Sequence, residues 1–120
     1  MIVGRAVGAG AFFLAILLTG LWVSRRGRPL SSILLNLHKL IGLGAGIFLA
    51  VTLVQIGRAA TLGTGVVIAS VVTGAGMVAG AATGGVLSAK ADPPSVLLRL
   101  HQAATVVSLA AAAALVCLLK

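Results

Sequence analysis

Two histidines, one cysteine and one aspartate are nearly all that this 120-residue chain offers to metal, nucleophile or proton chemistry. Paired-carboxylate catalysis, Ser-His-Asp triads and carboxylate-rich cation sites all need acids, and Asp92 is the only one. Hydrolytic mechanisms are therefore excluded. Cys117, being alone, excludes an intramolecular disulfide, a CxxC centre and a thiolate cluster, and reads as a small lipid- or core-facing residue. That leaves His38 and His101. They occupy the same place in two copies of one pattern, because Ser32-Ile33-Leu34-Leu35-Asn36-Leu37-His38-Lys39 aligns with Ser95-Val96-Leu97-Leu98-Arg99-Leu100-His101-Gln102, with five identities in eight positions. Upstream, after a one-residue shift, Gly10, Thr19, Gly20, Ser24, Arg26 and Pro29 match Gly74, Thr83, Gly84, Ser88, Lys90 and Pro93. Ser, His and Pro at fixed spacing are not cheap matches in so apolar a chain, so we read an internal duplication.

The elements that position these histidines follow from composition. The chain is 60% hydrophobic with 16 glycines and only 8% charged residues, against about 25% charged in soluble domains. A soluble fold of this size cannot hide that much apolar surface. Apolar stretches long enough for a hydrocarbon core of about 30 Å recur four times, near 6–24, 31–56, 61–87 and 94–119. Charges, glycines and prolines separate them, in Arg25-Arg26-Gly27-Arg28-Pro29, Gly57-Arg58-Ala59-Ala60 and Lys90-Ala91-Asp92-Pro93-Pro94. The expectation is an all-α, single integral-membrane domain, a four-helix bundle running up-down-up-down. It is built from a hairpin written twice, about 1–57 and 61–120, with a pseudo-twofold axis along the membrane normal. The first segment lacks a small-residue cleavage site and is read as a mature helix rather than a signal peptide. The net charge of +8 lacks a basic helix face or aromatic platform, which argues against nucleic acid and for orientation beside anionic headgroups. Arg25, Arg26, Arg28 and Lys90, with Arg99 close by, outweigh Arg5, Arg58 and Lys120, placing loops one and three in the cytoplasm and both termini outside, in a prokaryotic inner or cell membrane.

In that arrangement the second and fourth helices are parallel, and each histidine lies six residues, or about 9 Å, inside its helix start. Counting the same depth on the first and third helices reaches Thr19-Gly20 and Thr83-Gly84. The plainest role for an intramembrane histidine is an interhelical hydrogen bond. Two imidazoles at one depth with no carboxylate partner point instead to ligation. Zinc or copper wants three or four donors, whereas haem iron needs only two because the porphyrin supplies four nitrogens. A bis-histidine clamp needs a backbone separation of roughly 15 Å, more than the about 8–10 Å between adjacent helices and close to the diagonal of a square bundle. Small residues would let the macrocycle approach: Gly20, Gly84, Thr19 and Thr83, then Gly42 and Thr105 one turn from the histidines, with Gly46 and Ser108 beyond. Close helix packing is the competing role for Gly74, Gly76, Gly80 and Gly84.

This constellation of His38, His101 and the paired glycines resembles the membrane cytochromes b, in particular the cytochrome b-561 families, whose four-helix core pairs histidines of the second and fourth helices. The resemblance implies one haem b per chain with His38 and His101 as iron ligands. Those families carry two haems, and this chain has one histidine pair. It implies single-electron transfer near the cytoplasmic leaflet, to or from a quinone or a redox-partner protein. Such a chain is an electron carrier or redox subunit, alone or in a larger membrane complex, rather than a stand-alone catalyst. Haem propionates would meet Arg25, Arg26, Arg28 or Arg99. Two other readings stay open: a (bacterio)chlorophyll-binding subunit with one pigment per histidine, and a cofactor-free assembly subunit or small transporter. Trp22 reads as an interfacial belt residue, and Phe12, Phe13 and Phe48 as packing or lipid-facing.

Overall fold

The computed structural model describes residues 2–119 and is all-α, with four helices: α1 (Ile2–Arg26), α2 (Ser32–Ala59), α3 (Thr64–Ala89) and α4 (Ser95–Leu118). Each is long and apolar enough to cross a membrane. The protein is thus an integral membrane protein of the all-α class expected from its sequence. Lys120, used above for orientation, lies outside the described residues. The helices sort into two compact units, one ending at Gln55 and one beginning at Ile56.

Helix limits follow local chemistry. Gly27, at φ 68°, ends α1 in the left-handed conformation, with its N–H donated to Ser24 O at 3.4 Å. Ser31 opens α2, its Oγ accepting from the Leu34 N–H at 3.5 Å. Pro94 precedes α4 in an extended conformation. All four helices differ from the sequence expectation at their ends by one to four residues, α2 for instance running to Ala59 rather than to residue 56. Helix α1 starts at Ile2 rather than at residue 6, so Arg5 lies inside it and reaches across to donate to Gln55 Oε1 at 2.8 Å. Helix α3 starts at Thr64 rather than at residue 61, because Gly63 is its extended N-cap.

Burial is inverted relative to a water-soluble bundle. Val3, Ile33 and Val78 are among many large apolar residues left exposed, while Thr73 is fully buried and Ser108 nearly so. Lipid is as apolar as a leucine side chain, so helices gain by close contact through small residues and by hydrogen bonds that lipid cannot offer. Hence the small residues go inside. In the second unit Val66, Ala69, Thr73 and Gly76 recur at alternating spacings of three and four along α3, and Ser108, Ala111 and Leu115 do so along α4. The missing Cβ of Gly76 lets Ser108 and the Ala104 carbonyl approach, the latter 3.2 Å from where that Cβ would be. The hydroxyls inside are satisfied: Thr73 Oγ1 donates to Ala69 O at 2.7 Å, and Ser108 Oγ reaches Thr73 O at 3.5 Å.

The first unit solves the same contact with aromatic rings. Phe48 fills the space over Gly8 of α1, and Phe12 fills the space over Gly44 of α2. Their ring centroids are 5.5 Å apart at 41°. The repeat equivalents of Gly8, Phe12, Gly44 and Phe48 are Val72, Gly76, Val107 and Ala111. Away from their histidines, therefore, the two hairpins have diverged in how they pack. Gly76→Val should destabilise the protein by about 1–3 kcal/mol through overpacking, whereas Gly74→Ala, whose added Cβ meets nothing within 4 Å, should not. Thermal unfolding in detergent, followed by helical circular dichroism, checks the pair.

Candidate functional site: a histidine clamped in each hairpin

Each hairpin holds one histidine against the threonine-glycine pair of its other helix. Arg5 and Arg25 on α1 are twenty residues apart, a rise of about 30 Å that matches the hydrocarbon thickness. Thr19 is six residues from Arg25, so the site lies about 9 Å inside that boundary. Here Thr19 Oγ1 and His38 Nδ1 are 3.0 Å apart. In the second hairpin Thr83 Oγ1 and His101 Nδ1 are 3.1 Å apart. Both imidazoles are half-buried.

The direction of these hydrogen bonds follows from where each hydroxyl proton goes. Thr19 Oγ1 donates to Ala15 O, four residues back, at 2.7 Å. Thr83 Oγ1 does the same to Ala79 O, also at 2.7 Å. A hydroxyl has one proton, so with it committed to a carbonyl the oxygen accepts from the imidazole. The imidazole therefore donates through Nδ1. An independent contact agrees in the second hairpin, where His101 Nδ1 lies 2.9 Å from Gly80 O, a carbonyl that can only accept. In the neutral ring an Nδ1–H leaves the lone pair on Nε2. The arrangement thus assigns the proton of each ring to Nδ1 and the lone pair to Nε2.

The sequence placed Thr19-Gly20 and Thr83-Gly84 at the depth of the histidines, and the structure brings each pair against the histidine of its own hairpin: His38 meets Thr19 and Gly20, and His101 meets Thr83 and Gly84. The contact at the glycines differs from the expected one. A Cβ on Gly20 would stand 3.0 Å from His38 Cε1, and one on Gly84 would stand 2.9 Å from His101 Cε1. The immediate reason for glycine here is thus the imidazole of the same hairpin, which occupies the space assigned to a macrocycle edge. Gly42 and Thr105 sit one turn further along. A Cβ on Gly42 would meet nothing within 4 Å, while Thr105 Oγ1 donates to His101 O at 2.9 Å and so stays bound to its own helix. The close-packing role of the α3 glycines is divided, since Gly76 and Gly84 face α4 side chains whereas Gly74 and Gly80 would meet nothing within 4 Å.

Sequence reasoning missed the carbonyls of Ala15, Ala79 and Gly80, which decide the polarity of each bond. A threonine inside an apolar helix is the one available signal, since its hydroxyl commonly bonds the carbonyl four residues back. Among the described residues no group of three or more His, Cys, Asp or Glu side chains comes together to hold a metal ion. Family models, curated proteins and solved structures were compared with the chain, and none matches.

Nitrogen-15 spectra of histidine-labelled protein without a bound chromophore should show the proton of both rings on Nδ1 rather than Nε2. Gly20→Ala and Gly84→Ala should each displace the adjacent ring and perturb that ring's signals, leaving the other histidine unchanged.

Proposed function

We propose that the protein is a membrane b-type cytochrome in which His38 and His101 serve as the two axial ligands of one haem b. The observation that supports this is the contact of each imidazole Nδ1 with a threonine hydroxyl that already bonds a carbonyl of its own helix. A metal-ligating histidine coordinates through one nitrogen and nearly always gives its other N–H to an acceptor, which fixes tautomer and ring orientation and raises ligand basicity. Each imidazole has this arrangement through Nδ1, with Thr19 as acceptor in one hairpin and Thr83 and Gly80 in the other. The donor set fits haem better than a bare ion, since two imidazoles suffice where a porphyrin supplies four nitrogens.

When bound, haem supplies reversible one-electron chemistry. The chain's own residues do the rest. Thr19 and Thr83 hold the rings by their Nδ1–H, Gly20 and Gly84 admit them to the helix surface, and the surrounding apolar side chains exclude water. Two axial histidines leave iron no open position, which suits single-electron transfer with a quinone or a redox-partner protein rather than oxygen binding. Loops one and three face the cytoplasm in this reading, and both termini face outward.

A second reading has one specific observation in its favour: each His-Thr-Gly cluster is complete within a single hairpin. A chlorophyll-type pigment needs one axial ligand, so one pigment per histidine fits the same donors.

Protein purified from haem-replete cells should show a low-spin haem spectrum with one haem per chain, abolished alike by His38→Ala and His101→Ala. A colourless preparation overturns the assignment, and an extract with chlorophyll-type absorption selects the second reading. In a C117A background, A60C, in the connection that follows α2, should react with a membrane-impermeant maleimide in intact cells. Labelling only after lysis reverses the orientation.

A further inference from the structure

We propose that the α1–α2 connection is a binding site for the phosphate of an anionic phospholipid headgroup, a specialisation of the first hairpin that its duplicate lacks. Arg25 and Arg26 occupy the last turn of α1, and Arg28 follows Gly27, whose φ of 68° turns the chain. Three guanidiniums thus crowd into four residues around one glycine turn. The equivalent stretch of the second hairpin has Ala89, Lys90, Ala91 and Asp92, which carries one cation and the only acid of the chain. It also leaves its helix differently, with Lys90 extended at φ -93° and ψ 136°. The cluster of three arginines is thus particular to the first hairpin, at the end of its first span.

The depth of the cluster selects a lipid. Arg26 Cζ stands 5.6 Å from the ring centroid of Trp22, one turn back on the same helix, and the indole is about half exposed. Indoles settle at the membrane–water interface. A guanidinium held over that ring is kept at headgroup level instead of reaching into water. Lipid phosphates are already at that level, whereas an acidic protein face would have to enter the headgroup layer to meet it. Guanidiniums present paired donors to phosphate oxygens, so the expected ligand is a phosphodiester bearing net negative charge.

Trp22 is the only tryptophan, and it lies at the site it would report on. The full-length protein is reconstituted in phosphatidylcholine vesicles containing a minor fraction of phosphatidylglycerol, with bromine on the acyl chains of one lipid or the other. At equal mole fraction, brominated phosphatidylglycerol should quench Trp22 several times more strongly than brominated phosphatidylcholine, and the preference should weaken with added KCl. An interfacial arginine is worth roughly five-fold in local anionic-lipid affinity. R25Q/R28Q, which keeps the Trp22–Arg26 pair, should accordingly lose most of the preference, while K90Q on the other loop should keep it. Equal quenching by the two lipids in the unaltered protein overturns the proposal, and needs no variant to fold. Loss of the preference with inorganic phosphate, at an ionic strength where KCl leaves it intact, assigns the loop to a soluble phosphate and overturns the lipid assignment.

Discussion

A threonine hydroxyl inside a membrane helix has one proton and no water to share it with. In both hairpins that proton goes to a carbonyl of the threonine's own helix, and the rest of the site depends on the consequence. The oxygen can then only accept, the facing imidazole gives it Nδ1–H, and Nε2 keeps the lone pair. In water the same ring would exchange tautomers against solvent. In hydrocarbon, an unsatisfied polar group costs several kcal/mol, so the bond persists and the ring has one orientation. The orientation of each imidazole is thus set by a backbone carbonyl one turn away from the threonine that touches it.

The same scarcity of hydrogen-bonding partners explains the packing. Apolar side chains gain little from meeting each other when lipid is the alternative, so the contacts that discriminate are close approach and internal polarity. The second hairpin obtains them with Gly76, Thr73 and Ser108, and the first with two phenylalanines, each seated over a glycine of the facing helix. That two unlike solutions carry the same histidine-threonine-glycine cluster separates what packing needs from what the site needs. Packing differs between the two hairpins while the cluster does not. The arginine-rich turn of the first hairpin is a third category, present in one copy only.

Much of this was legible in the sequence because the relevant physics is one-dimensional. Four apolar runs of membrane length, broken by charges and prolines, leave few alternatives to four helices when every backbone group must be satisfied within its own segment. Counting residues inward from the charged ends is counting depth at 1.5 Å per residue, and that put Thr19-Gly20 and Thr83-Gly84 at the level of the two histidines, though it did not show which pair meets which ring. Helix ends were less legible. Arg5 looked like a boundary, yet α1 passes through it, since an arginine at the edge can reach Gln55 instead of ending the helix.

Side-chain direction and backbone acceptors were beyond sequence. Nothing in the letters distinguishes a glycine that admits an imidazole, as Gly84 does, from one such as Gly74 that faces no neighbour, because the difference lies in how two helix surfaces meet. Nor can letters show that Gly80 contributes a carbonyl to His101. Class, span and depth were determined by composition and counting, which act along a single axis. Which ring nitrogen gives its proton, and to what, was decided only by the tertiary structure, because a hydrogen bond depends on angle and distance between atoms that sequence does not relate.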